Sequence, residues 1–219
     1  MNIALIVFAG LGTRINSPIP KQFIKIKGKE IVVYTIETFQ NSPLIDEIVL
    51  VTNKNYLDLV KNLVKKYSLS KVKHIIAGGN SRQESVKLGL VNTEYDSKDN
   101  ILIHDGDRPL VSELIIKNNV ESLKAHDVVC TYIPHAEALS HVSNLGRVKI
   151  VDGVRMDVQT PQSFKYGLIK KYHLERELES FSDDVGLLEE DHKVFYLRGS
   201  KYNFKITTDV DLKVLESLL

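Results

Sequence analysis

An α/β fold with a mainly parallel sheet flanked by helices is predicted by two features of this 219-residue chain. Apolar runs of strand length show no alternation with polar residues, as expected of strands covered on both faces. Between them lie stretches whose apolar residues recur at helical spacing, the mark of a helix with one buried face. Alternating strands and helices imply crossover connections, and hence parallel neighbours in the sheet.

Ile3-Ala4-Leu5-Ile6-Val7-Phe8 is the first such run. Ile48 to Val51, Lys73 to Ile76, Asn100 to Ile103 and Val128 to Ile133 follow, and Lys193 to Leu197 is a late one. Tyr56 to Tyr67 sets Leu57, Val60, Leu63 and Val64 against Lys61, Lys65 and Lys66. Ser81 to Leu90, Ser112 to Lys124 and Asp209 to Leu219 read as further helices. Glu137 to Val151 departs from this plan, with two β-like pieces around Asn144-Leu145-Gly146 that read as a hairpin. The expected organisation is one domain over residues 1–219 with a projecting β-arm at about 135–157.

Composition narrows the partners. Hydrophobic residues make up 43% and charged ones 26%, the balance of a globular protein with a sizeable core. A formal net charge of +1 lacks the basic excess of a nucleic-acid binder, so no nucleic-acid partner is expected. Cys130, the only cysteine, sits in the apolar run Val128-Val129-Cys130 and reads as a core residue, not a nucleophile. No apolar run approaches the ~20 residues of a membrane span, and the N-terminus has no leader pattern. A cytoplasmic protein without a membrane partner is expected.

In open parallel sheets, ligands bind beyond the carboxyl ends of the strands. The first strand is followed by Ala9-Gly10-Leu11-Gly12-Thr13-Arg14 and then by Pro20-Lys21-Gln22. Two glycines let the backbone approach a ligand and turn successive N–H groups toward phosphate oxygens. Arg14 and Lys21 add charge where a triphosphate collects it. Neither the Walker spacing nor the dinucleotide GxGxxG spacing is present. The third strand runs into Gly78-Gly79-Asn80-Ser81-Arg82-Gln83-Glu84-Ser85, where Ser81 and Glu84 have the spacing of a capping box. The helix start they define, with Arg82 and Ser85, also suits an anion or a base edge.

The fourth strand ends in His104-Asp105-Gly106-Asp107-Arg108-Pro109. Asp105 is either a turn cap or a carboxylate that meets Mg²⁺ and phosphates, and His104 reads as a packed strand-end residue. In Asn203 to Thr208, Lys205 is a candidate cation one residue into a strand, ahead of a helix that Thr208 or Asp209 caps.

Taken in order, AGLGTR with PKQF, GGNSRQES, HDGDRP, QTPQSF, FSDD and KITTDVDL resemble the cytidylyltransferases that make CDP-activated polyols. That family includes 2-C-methyl-D-erythritol 4-phosphate cytidylyltransferase and ribitol-5-phosphate cytidylyltransferase. The resemblance implies a Rossmann-like nucleotidyltransferase fold and a homodimer whose arms interlock. It implies that Ala9, Gly10, Leu11 and Gly12 hold CTP through their backbone, and that Arg14, Lys21 and Lys205 act on the reacting phosphates. Gly79, Asn80, Arg82 and Ser85 match the cytosine- and ribose-recognition segment, and Asp105 with Gly106 the nucleotide and metal region. Asp105, Arg108, Arg155, Thr160 and Ser182 are implied on the acceptor side, and Mg²⁺ or another divalent cation is implied with CTP, with Asp105 its protein contact.

Several positions depart from the family pattern. Leu11 stands for a glycine, and Asp107 adds an acid where the family has DAARP or DAVRP. Glu137-Ala138 replaces an aspartate–threonine pair in the arm. Asp152 stands where the family has an arginine that grips the acceptor phosphate from the partner subunit; either Arg155, three residues on, replaces it through a local shift, or the acceptor is bound differently. The expected reaction is transfer of CMP from CTP to a phosphorylated polyol, releasing pyrophosphate. FSDD and KITTD look more like the capsule or teichoic-acid ribitol-5-phosphate branch of the family, which implies D-ribitol 5-phosphate as acceptor. 2-C-methyl-D-erythritol 4-phosphate is the alternative, another alditol or sugar phosphate a third, and a nucleotide-binding pseudoenzyme the alternative of a different class.

Overall fold

The computed structural model describes every residue except 13, 16, 137–139, 143–147, 151–154, 177–180, 182 and 189–191, and gives the backbone alone at 140–142 and 148–150. In chain order its elements begin with β1 (Asn2–Phe8), the short hairpin β2 (Lys25–Ile26) and β3 (Lys29–Glu30), α1 (Ile31–Asn41), β4 (Glu47–Thr52), α2 (Leu57–Lys66), β5 (Val72–Ala77) and α3 (Arg82–Val91). There follow β6 (Asn100–Asp105), α4 (Glu113–Ser122), β7 (Val128–Pro134), β8 (Ser140–Val142), β9 (Val148–Ile150), β10 (Met156–Lys165), α5 (Tyr166–Glu175), β11 (Phe195–Arg198) and α6 (Asp209–Leu218).

Seven strands make one sheet in the order β11-β7-β10-β6-β1-β4-β5. β1 pairs parallel with both β4 and β6, β4 with β5, and β7 with β11. Only β10 runs against its neighbours β6 and β7. Alternate residues of β1 feed two cores. Ala4, Ile6 and Phe8 pack with Val33 and Phe39 of α1, Leu63 of α2 and Ile116 of α4. Ile3, Leu5 and Val7 face the other way, onto Val86 and Leu90 of α3 and Ile169 of α5. That is why the run is apolar without alternation. Gly89 lets α3 lie close, since a Cβ there would come within 2.7 Å of Leu5.

α1, α5 and β10 have no counterpart in the sequence reading. In α1, Ile31, Val32, Val33 and Thr35 are β-branched and weak helix formers, but burial of one continuous face outweighs that preference. β10 contains a proline and the buried polar residues Gln159, Thr160, Gln162 and Ser163, so no apolar run marks it. Pro161 falls at a register shift between Val158 and Gln162, where the ladder is already interrupted. The polar side chains find partners elsewhere in the fold. Gln162 Oε1 accepts from the N–H groups of Asp184 and Val185, and Ser163 Oγ donates to Asn119 at 2.8 Å.

The segment around Lys205 is not a strand. It is an irregular stretch tied down where the Ile206 N–H donates to the Asp107 carbonyl at 2.8 Å. A third cluster of Ile15, Ile26, Ile31, Ile206 and Leu215 anchors this stretch, with α6, against the loop after β1. Within the expected arm, β8 and β9 pair antiparallel as a separate two-stranded sheet, Ser140 opposite Ile150. The turn at Asn144-Leu145-Gly146 lies outside the described residues.

Candidate active site

β1 stands between β4 and β6. The chain therefore moves outward on one side through β4 and β5 and resumes on the other with β6. At this reversal the connections leave in opposite directions and open a crevice past the strand ends. It holds a cavity of about 490 Å³, within the range of small-molecule sites.

The loop after β1 forms one wall. Gly12 has φ +67, a conformation costly for other residues, and a Cβ there would meet Lys21 Cγ at 2.9 Å. Gln22 Nε2 donates to the carbonyls of Phe8 at 2.8 Å and Gly10 at 2.9 Å, fixing the mouth of the loop. Lys21 is not a solvated loop cation. It is 9% exposed, and its Nζ lies 2.5 Å from both Asp107 Oδ2 and the Ile206 carbonyl.

The start of α3 forms the opposite wall. Ser81 caps the helix by accepting from the Glu84 N–H at 3.0 Å, while the Glu84 carboxylate reaches back to the Asn80 N–H at 2.6 Å. Ser85 Oγ donates to the Ser81 carbonyl at 2.7 Å and accepts from the Gly79 N–H at 3.1 Å. A Cβ at Gly78 would come within 2.5 Å of the Ala9 Cβ, so the two loops touch there.

Asp105, the last residue of β6, forms the floor. Its Oδ1 accepts from Arg82 Nε at 2.8 Å, and its Oδ2 from Lys205 Nζ at 3.0 Å, with Arg108 Nε at 3.5 Å. Burial alone would raise the Asp105 pKa; Arg82, Lys205 and Arg108 outweigh it and hold the carboxyl well below the usual range. Arg82 continues to Asp184 Oδ2 at 2.8 Å, and Asp184 Oδ1 lies 3.1 Å from His173 Nε2. Burial opposes the charge of Asp184 too, and Arg82 and the His173 hydrogen bond overcome it.

Behind Asp105, Thr160 Oγ1 accepts from the Asp105 N–H at 3.1 Å and lies 3.0 Å from His104 Nδ1. His104 Nε2 is 3.3 Å from the Arg108 carbonyl, which can only accept. The proton therefore sits on Nε2 and the threonine hydroxyl donates to Nδ1, a neutral imidazole with both nitrogens used. Burial pushes the His104 pKa down to about 3, in keeping with that tautomer.

Of the residues singled out from the sequence, Ala9, Gly10, Leu11, Gly12, Arg14, Lys21, Gly79, Asn80, Arg82, Ser85, Asp105 and Lys205 all line the 490 Å³ cavity. A second cavity of about 260 Å³ carries Arg108 and Thr160 and shares Arg82, Asp105 and Lys205 with the first. Gly106 is not among the residues that line either cavity. Its N–H donates to the Val7 carbonyl and its own carbonyl accepts from Thr35, so it has no backbone donor left for a ligand. Thr160 reaches the second cavity, but its hydroxyl is engaged by Asp105 and His104, which makes it a support for the strand end. Arg155 lines neither cavity; it precedes β10, where its carbonyl accepts from the His135 N–H at 3.0 Å. Ser182, Glu137, Ala138 and Asp152 lie outside the described residues.

Asp107, Gln22, Asn53 and Ser81 also line the first cavity. Asp107 and Gln22 stand in the motifs HDGDRP and PKQF, and their residue types alone do not place them on the cavity wall. Asp184 was likewise in FSDD, and only the fold brings it to Arg82. Four cationic side chains (Arg14, Lys21, Arg82 and Lys205) face two acidic ones (Asp105 and Asp107) around the cavity, a surplus suited to a polyanion. No group of three His, Cys, Asp or Glu side chains able to hold a metal occurs among the described residues. None of their helices is long and apolar enough to cross a membrane.

A mainly parallel sheet with a cation-rich, glycine-walled cavity at its switch point defines the class, an α/β protein with the nucleotidyltransferase fold. The family model of IspD, 2-C-methyl-D-erythritol 4-phosphate cytidylyltransferase, matches residues 2–219, and the chain belongs to that family of CTP-dependent cytidylyltransferases. It is 40% identical over 226 residues to the 2-C-methyl-D-erythritol 4-phosphate cytidylyltransferase of Clostridium novyi (strain NT), covering 100% of this chain and 96% of that one. It is 34% identical over 228 residues to the ribitol-5-phosphate cytidylyltransferase of Vibrio parahaemolyticus serotype O3:K6, with 100% and 96% covered. Among solved structures it is similar to 4-diphosphocytidyl-2C-methyl-D-erythritol synthase from Anaerococcus prevotii DSM 20548. The TM-score is 0.85 at 27% identity, over 99% of this chain and 95% of that chain.

Proposed function

We propose that the protein transfers CMP from CTP to 2-C-methyl-D-erythritol 4-phosphate, giving the CDP-activated polyol and pyrophosphate. This reverses the order of acceptors expected from FSDD and KITTD, which favoured D-ribitol 5-phosphate. The observation that carries the reversal is the family match over residues 2–219, supported by 40% identity to a relative named for the erythritol phosphate against 34% to one named for ribitol phosphate.

In this reading the triphosphate occupies the larger cavity, its oxygens against the backbone of Ala9 to Gly12 and the cations Arg14, Lys21 and Lys205. Asn80 and the N–H groups at the start of α3 face the base and ribose. The acceptor occupies the smaller cavity, where Arg108 and Lys205 meet its phosphate. Arg82, Asp105 and Lys205 form the wall common to both, so the two substrates meet at that wall. A phosphate oxygen of the acceptor attacks the α-phosphorus in line, the bond to the β-phosphate bridging oxygen breaks, and pyrophosphate carries away the electron pair. A phosphate monoester is already an anionic nucleophile near neutral pH, so the protein's work is alignment and charge stabilisation.

The donor a divalent cation would meet in the cavity is a carboxylate. Mg²⁺ sites on nucleotides use one or two carboxylates and take their other ligands from phosphates and water, and Asp105 is the expected protein contact. Bound there, it would neutralise phosphate charge. A homodimer joined through the arm completes the reading, with Arg155 offered across the interface.

The test is pyrophosphate release with CTP and Mg²⁺ across methylerythritol phosphate, ribitol 5-phosphate and other alditol phosphates. The highest kcat/KM is expected with methylerythritol phosphate. A higher value with ribitol 5-phosphate restores the first ordering, and CTP binding without turnover on any acceptor leaves the pseudoenzyme.

A further inference from the structure

We propose that Asp107 is a positioning residue that holds the place of nucleotide phosphate between Lys21 and Lys205, and so sets how tightly the cavity holds triphosphate and how readily it gives up pyrophosphate. The inference rests on the larger cavity being the triphosphate site.

The geometry behind it is specific. Asp107 Oδ2 is 2.5 Å from Lys21 Nζ, and Oδ1 is 3.9 Å from Lys205 Nζ. The same residue accepts from the Ile206 N–H through its carbonyl, while the Ile206 carbonyl accepts from Lys21. One residue thereby links the loop after β1, the end of β6 and the segment before α6. Oδ1 is buried and has no hydrogen-bond partner among the described residues. Two ammonium groups brought into one cavity wall repel each other, and a fixed carboxylate between them relieves that repulsion in the free enzyme. Gly12 brings the loop onto the Lys21 stem, which keeps the ammonium within reach of this carboxylate.

Phosphate oxygens entering the cavity compete for the same lysine protons. Binding must displace or share the carboxylate, so Asp107 weakens the hold on any polyanion there, substrate triphosphate and product pyrophosphate alike. The benefit of such a weakening is kinetic, because a product held by the full set of cations leaves slowly.

The experiment is calorimetric titration of pyrophosphate and of CTP into the wild-type chain, Asp107→Asn and Asp107→Ala, each with Mg²⁺ and with the cation chelated. It is paired with steady-state kcat and CTP KM and with thermal unfolding. Both variants are expected to lower the Kd for pyrophosphate about tenfold, which corresponds to about 1.4 kcal/mol. A lower CTP KM and a lower kcat should accompany it, a split that a general loosening of the fold does not produce. Unchanged or weaker pyrophosphate binding in folded variants overturns the proposal, and weakening confined to Mg²⁺ reassigns Asp107 as a cation ligand. Failure of both variants to fold overturns it in favour of a structural strut. Wild-type chain that binds no CTP removes the triphosphate reading itself, whereas wild-type binding without tightening in the variants removes only the role of Asp107.

Discussion

Asp105 and His104 are neighbours with opposite electrostatic fates. The carboxylate is kept charged by Arg82, Lys205 and Arg108, and the imidazole is kept neutral by burial between Thr160 and the Arg108 carbonyl. For His104 the folded pKa of about 3 lies below its ordinary 6.5, so the unfolded chain binds a proton first. Stability is therefore lost as the pH falls from about 6.5 towards 3. For Asp105 and Asp184 the folded values lie below 3.8, so their contribution is complete above that value and is lost as the pH falls through the folded ones. Urea midpoints should thus fall in two stages, gently below about pH 6.5 and steeply below about pH 4. A midpoint flat from neutrality to about pH 4.5 would show that His104 is not held neutral.

At the scale of elements, α3 does two jobs with one turn. Its cap at Ser81 fixes the helix start, and its first residue Arg82 bridges Asp105 and Asp184. Loss of the cap hydroxyl frees an N–H of the first turn and lets Arg82 drift. Ser81→Ala should cost about 1 kcal/mol in chemical denaturation and raise the KM for CTP, because Asn80 and Ser85 belong to the same turn. A full stability loss with an unchanged CTP KM would separate the cap from the binding loop. The capping box expected from Ser81 and Glu84 is formed in altered shape, with Glu84 reaching Asn80 instead of Ser81. A second box, Thr208 with Asp211, starts α6 and ends the segment that carries Lys205.

Across the whole molecule, the site is assembled from positions as far apart as Lys21 and Lys205, joined through Asp107 and the Ile206 carbonyl. The proposed dimer belongs to this scale. Light scattering is expected to give twice the chain mass of 24.8 kDa, and deletion of the β8–β9 ribbon to return it to the single-chain value. A full-length monomer with full turnover would remove the arm from the mechanism.

What the amino-acid order determined by itself is local. An unalternating apolar run makes β1 a strand with both faces covered, helical spacing makes α2 and α3, and the glycines after β1 and β5 mark the loops that wall the cavity. These are legible because each depends on residues a few positions apart. The expected nucleotidyltransferase fold is the one found, and the solved relatives share it. The tertiary structure alone decided the rest. β10 is a strand because distant partners satisfy its polar side chains, and α1 is a helix because burial outweighs β-branched preference. Gly106 spends its backbone on Val7 and Thr35, partners that no local pattern names. Asp107 gains its meaning from two lysines 184 residues apart in sequence (205 − 21) that pair with one carboxylate. Those outcomes rest on hydrogen-bond and charge partners that only the closed sheet brings together, and no local pattern encodes who those partners are.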